Sequence, residues 1–143
     1  NSNVTTFLND TRGLQISRTE ALGSPEERTI TTVWHASFRL PITISKSGKD
    51  TAFTYDASGR VLTRTQTDTV TLDARISTNS YYDASDFGGN TSDPRIGLLK
   101  SIDGPRVDVS DITTFEYDVL GNLITTTNAL GYETDITSHD AHG

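Results

Sequence analysis

The feature that most constrains this chain is a short pattern, aromatic-Asp-x-x-Gly, that recurs and is followed each time by a β-prone run. It is intact at Tyr55-Asp56-Ala57-Ser58-Gly59 and at Tyr117-Asp118-Val119-Leu120-Gly121. Asn9-Asp10-Thr11-Arg12-Gly13 and His139-Asp140-Ala141-His142-Gly143 keep the Asp and Gly without the tyrosine. Each residue type has a local job. An Asp carboxylate accepts from its own turn amides, and Gly takes the positive φ that closes a tight turn. Around it, Phe115 and Tyr117 alternate with polar residues as a half-buried strand requires, and Leu123-Ile124-Thr125-Thr126-Thr127 returns as a second strand. Two further copies are degenerate. Trp34-His35-Ala36-Ser37-Phe38-Arg39 aligns with Tyr55 to Arg60, with Phe38 in the place of the turn glycine. Tyr82-Asp83-Ala84-Ser85 opens like a repeat, but Gly88 arrives two positions late. Units therefore start near 9, 34, 55, 82, 117 and 139, a spacing that suits one supersecondary unit stacked on the next.

A second set of glycines, Gly23, Gly48 and Gly131, falls fourteen residues after the starts at 9, 34 and 117. Each unit then reads turn, strand, turn, strand, which is a hairpin feeding the next one. No segment sustains a 3.6-residue period, and the 24 threonines favour strands over helices. The expected fold is all-β: antiparallel β-hairpin repeats forming one long, twisted and curved sheet. Residues 83–96 and 103–111 read as inserted loops. Phe53, Tyr55, Leu62, Phe115, Tyr117 and Leu123 are the expected packed positions, and 143 residues suffice for one domain with a core.

Charge and composition exclude several classes. The formal net charge is -7, which argues against nucleic acid or an anionic membrane as partner. The absence of cysteine removes disulfides, thiolate metal sites and thiol nucleophiles. No apolar run is long enough for a membrane-spanning helix, so no membrane insertion is expected. Asn1-Ser2-Asn3-Val4 has no signal-peptide character and reads as an internal cut.

The Tyr-Asp pairs at Tyr55-Asp56, Tyr82-Asp83 and Tyr117-Asp118 resemble the RHS family, also called YD repeats. Trp34 to Pro41 is similar to the family's Trp-His variant repeat. Ser101 to Asp111 is similar to a linker of bacterial members, and Asn128-Ala129-Leu130-Gly131 to the second turn of a repeat. The resemblance runs from about Leu8 to Gly143. It implies a large, exported bacterial protein, secreted or at the cell surface, whose repeats form a β-shell. Such a shell encloses and shields a C-terminal toxin domain, often delivered by type VI secretion. The implied partners are further repeats and the toxin of the same parent chain. In some members the repeats serve instead in adhesion or carbohydrate contact.

Against that background the reactive residues read as scaffold. Tyr55, Tyr82 and Tyr117 with Asp56, Asp83 and Asp118 could form acid-base pairs. Repetition along a chain instead marks rings packed on a neighbouring strand and carboxylates bonded to turn amides. The structural signature comprises Tyr55, Asp56, Gly59, Tyr82, Asp83, Tyr117, Asp118, Gly121, Asp10, Gly13, Trp34, Asp140 and Gly143. His139 and His142 lack a convergent third ligand, and the acidic loop at Asp83, Ser85, Asp86 and Asn90 does not follow the order of a calcium loop. Trp34, Tyr81 and Tyr82 are the candidates for stacking on a sugar. No nucleophile, phosphate loop or zinc spacing is present, so neither an enzyme nor a cofactor is expected. Open sheet edges suggest self-association.

Overall fold

A computed structural model describes residues 4–139. Asp140 and Gly143, with Ala141 and His142, lie outside the described residues. The fold is all-β. Among the described residues, eleven antiparallel strands follow one another across the sheet in chain order, as a succession of hairpins dictates. The chain divides into two compact units, residues 1–76 and 77–143.

The first unit is built from β1 (Thr6–Asn9), β2 (Gln15–Glu20), β3 (Arg28–Trp34), β4 (Pro41–Lys46), β5 (Lys49–Tyr55) and β6 (Val61–Asp68). Strand β7 (Ala74–Tyr81) carries the chain across the division. One face of the first unit is dominated by small hydroxyl side chains. In register stand Ser17 against Thr31, Thr31 against Ser45, Thr19 against Thr29 and Thr54 against Thr63. The Thr19–Thr29 and Thr54–Thr63 hydroxyls bond across strands at 2.9 and 2.7 Å. This accounts for much of the threonine: a β-branched side chain suits the pleat, and its hydroxyl finds a cross-strand partner.

The second unit holds β8 (Leu99–Asp103), β9 (Thr113–Tyr117), β10 (Leu123–Thr127) and β11 (Glu133–Asp135). Residues 83–98 form a looped excursion closed at its base. Tyr82 N–H donates to Leu98 O at 3.0 Å and Gly97 N–H to Tyr82 O at 2.8 Å. The excursion opens with a 3-10 turn, Ala84–Phe87, capped reciprocally by Asp83 and Asp86 and ended by Gly88 at φ 64°. The late glycine thus ends this turn. In residues 103–111 the Asp111 carboxylate accepts from Arg106 N–H at 3.0 Å.

The expected core is not found. Leu14, 7% exposed, is the one buried hydrophobic residue among those described. Phe53, Tyr55, Leu62, Phe115, Tyr117 and Leu123 are all half-buried. The reason is architectural. A conventional core needs two layers, and within each unit the sheet has no second layer on it. Its strands lose water only to lateral neighbours.

Candidate functional site

The turns that begin each repeat are the most regular feature of the molecule. Three share one geometry. In the loop from Asp56, Asp56 N–H donates to Arg60 O and Gly59 N–H to Asp56 O, both at 3.0 Å. Asp56 Oδ1 accepts from the amides of Ser58 and Arg60 at 2.9 Å each, and Oδ2 from Arg60 Nε at 2.6 Å. The loop from Asp118 repeats this, with amides of Leu120 and Asn122 on Oδ1 and the Asn122 side chain on Oδ2, all at 2.9 Å. In the loop from Asp10, the amides of Arg12 and Leu14 and the Arg12 guanidinium take the same places. The fourth residue, Gly13, Gly59 or Gly121, has φ between 75° and 90°. A side chain there would be strained.

These bonds have an electrostatic consequence. The Leu14 amide, then Arg12, hold Asp10 below the usual carboxylate range. The Arg60 amide does most for Asp56, and the Asn122 side chain for Asp118. A carboxylate so bonded is a poor proton acceptor at neutral pH, since its charge is already spent on backbone donors.

The structure adds members that the Asp-x-x-Gly pattern overlooks. Asn128 forms the same loop with its side-chain oxygen, which accepts from Leu130 and Tyr132 amides at 2.9 and 3.1 Å. Gly131 closes it at φ 79°. Gly131 therefore belongs to the same turn type as Gly121 and not to a separate register. Gly48 differs, sitting in a two-residue hairpin between Lys46 and Lys49. Asp68 heads a version longer by one residue. Its amide donates to Asp73 O, its Oδ1 accepts from Val70 and Thr71, and Leu72 takes the left-handed position at φ 64°. The loop at His35 has this longer form. His35 N–H donates to Leu40 O, and Nδ1 accepts from Ser37 and Phe38 amides at 3.1 Å each. Imidazole stands in for carboxylate. The alignment that put Phe38 at the glycine position is thus off by the inserted residue. An Asx residue followed three residues later by Gly would have found Asn128; nothing as simple marks Asp68 or His35.

Trp34 and Tyr55, each the residue before a loop, are held at both ends. A register shift, a β-bulge, lies between Val33 and Trp34 and between Thr54 and Tyr55, and others lie between Leu8 and Asn9 and between Ser80 and Tyr81. Such a bulge re-aims the side chain. Its polar tip then meets a carbonyl. Trp34 Nε1 donates to Gln15 O at 2.9 Å, Tyr55 Oη to Pro41 O at 2.7 Å, and His139 Nε2 lies 2.8 Å from Leu123 O. Gln15, Pro41 and Leu123 are each the first residue of the strand preceding the one that leads to the ring. Tyr82 reaches Phe115 O instead, at 3.0 Å. The Tyr82 ring sits edge-on to Tyr117 and stacks on Phe87, over which the Arg95 guanidinium lies at 3.9 Å. Burial pushes the hydroxyls of Tyr55, Tyr82 and Tyr117 up from their ordinary value.

Neighbouring loops also touch. Arg12 Nη1 donates to His35 O and Ala36 O at 2.8 and 3.0 Å. Gly59 faces Leu40 and Phe38, and Gly121 faces Leu98. Of the candidate stacking residues, Trp34, Tyr81 and Tyr82 are half-buried, and Trp34 and Tyr82 donate their polar hydrogens within the chain. Among the described residues no group of three metal-ligating side chains converges.

No protein-family model matches this chain, and no curated protein does. Solved structures give weak likenesses. The TcdB2-TccC3-Cdc42 structure aligns with 89% of this chain at 14% identity and a TM-score of 0.45. TcdB2-TccC3 without its hypervariable C-terminal region aligns with 89% at 14% and 0.47, and TcdB2-TccC3-TEV with 87% at 16% and 0.43. This chain spans 8% of the length of each.

Proposed function

We propose that this chain is a non-catalytic structural segment of an RHS-type, YD-repeat shell. Such a shell encloses and shields a C-terminal toxin until delivery from the exporting bacterium. One observation supports the reading above all. The repeated Asp, Asn and His side chains are taken up by amides of their own loops, and Trp34, Tyr55 and Tyr82 donate their polar hydrogens to carbonyls of other segments. Groups so engaged define a wall, and a wall needs no free acid, base or nucleophile. Its partners are the flanking repeats and the enclosed domain.

The test uses the full-length protein that contains this segment. Limited digestion with a broad-specificity protease, followed by intact mass, should leave the C-terminal portion protected. Protection should vanish once the repeats are unfolded. Rapid loss of that portion from the folded protein would sink the enclosure reading. The carbohydrate-binding alternative would then gain ground, to be tested by a glycan screen on Trp34→Ala and Tyr82→Ala.

A further inference from the structure

The acidity of the chain is not spread evenly. Residues 1–76 carry nine Lys and Arg against eight Asp and Glu, while residues 77–143 carry three against eleven. Within the first unit, cations gather on the sheet face opposite the hydroxyl ladder. Lys46 and Lys49 stand in register across their hairpin, and Arg64 stands opposite Phe53. With Ile30, Ile44 and Phe53 they line a depression of roughly 370 Å³. With the Gln66 amide turned so that its oxygen meets both donors, that oxygen accepts from Lys49 Nζ and from an Arg64 guanidinium nitrogen, both at 2.6 Å. Two cations are thus drawn to one neutral oxygen. Among the described residues neither they nor Lys46 form an ion pair. Asp68 stands in register with Lys49, but its Oδ1 is occupied by the Val70 and Thr71 amides. Like charges held together over an apolar floor call for an anion that also brings apolar side chains.

The second unit carries such a segment. Val107-Asp108-Val109-Ser110-Asp111 alternates aliphatic and polar or acidic residues. Val107 is fully exposed, and the Asp108 side chain is 70% exposed, with only a long 3.4 Å contact to Arg106. We infer that the Lys46–Lys49–Arg64 depression of one copy receives the Val107–Asp111 loop of a second copy. Val107 and Val109 lie on Ile44 and Phe53, and Asp108 meets Lys49 and Arg64. The two patches differ, so the contact is heterologous and propagates head to tail. Because it joins two non-identical surfaces, a chain of copies keeps one free loop at one end and one free depression at the other.

Sedimentation velocity of the 143-residue protein tests this across a concentration series. The expected result is concentration-dependent association that weakens as salt rises from low to physiological levels. Lys49→Glu with Arg64→Glu should weaken it about tenfold, and Asp108→Lys alone should do the same. Mixing the two variants should restore association in alternating order, since the reversed-charge depression of one matches the reversed-charge loop of the other, and the remaining depression and loop are unaltered. The milder Lys49→Gln with Arg64→Gln, checked by circular dichroism, guards against misfolding of the reversed-charge variant. A protein that stays monomeric at every concentration would overturn the inference. So would association indifferent to both sets of substitutions, or a mixture that fails to pair.

Discussion

At the residue scale, the informative position is the one that breaks the rule. In four loops the left-handed residue is glycine, at 13, 59, 121 and 131; in the loop from Asp68 it is Leu72, at φ 64°. A leucine there pays the Cβ–carbonyl clash of the left-handed region, about 1–2 kcal/mol. It recovers little, being 74% exposed. Glycine gives back part of the gain as unfolded-chain entropy, about 0.5–1 kcal/mol. Leu72→Gly is therefore expected to stabilise the first unit by about 0.5–1 kcal/mol. Chemical denaturation, read at an unchanged slope, checks it. A destabilised variant would mean that the Leu72 side chain makes a contact worth more than its strain. The aromatic residues teach the complementary lesson. A tyrosine, a tryptophan and a histidine fill equivalent places because each carries both a flat apolar body and one polar hydrogen for a carbonyl.

At the element scale, the loop is a device for satisfying backbone amides with one side chain, and its charge makes it sensitive to acid. Asp10, Asp56 and Asp118 all have folded pKa values below their unfolded ones, and the Arg95 side chain draws Asp93 down to about 2. A depressed carboxylate contributes stability above its unfolded value of about 4, and this contribution is lost as pH falls through the folded value. Thermal stability is thus expected to decline from about pH 4 downward. Asp118→Asn should flatten that decline at its own loop, because the amide oxygen accepts the same bonds without a proton to gain, as Asn128 already does. Asp118→Ala should be the less stable of the two at neutral pH. Melting curves across pH for wild type and both variants decide it; a wild type with no loss of stability below pH 4 would refute the account. This device explains how much could be read from sequence. Hairpins and turn positions were legible because Asp and Gly at a fixed offset carry the geometry in their own chemistry. The loops at His35 and Asp68 were hidden, since imidazole or an extra residue reaches the same bonds by another route. The ring-to-carbonyl bonds were hidden too, because they span 14 to 19 residues in Trp34, Tyr55 and His139. A core was expected from length alone, and length does not reveal whether a second layer exists.

At the scale of the whole molecule, the uneven charge matters more than its total. Eleven acidic side chains face three basic ones in residues 77–143, whereas the first unit is nearly balanced. With Leu14 as the one buried hydrophobic residue among those described, little apolar burial offsets electrostatic self-repulsion. Screening should therefore act on the two units differently. Raising ionic strength from about 0.01 to 0.15 M shortens the screening length from about 30 to 8 Å, which is shorter than the spread of charge over several strands. Amide hydrogen exchange followed by mass spectrometry, at dilution low enough to keep the protein monomeric, can read each strand in the intact chain. Protection of β9 and β10 should rise a few-fold with salt, and by more than that of β4 to β6, because residues 1–76 are nearly balanced in net charge. The ion pairs Arg60–Asp56 and Arg18–Glu20 in the first unit set the opposite sign, since salt weakens an attraction as surely as a repulsion. Equal responses in the two units would mean that neighbouring bonds, and not net charge, govern local opening. A response confined to 77–139 would mark that unit as the one whose local stability net charge governs.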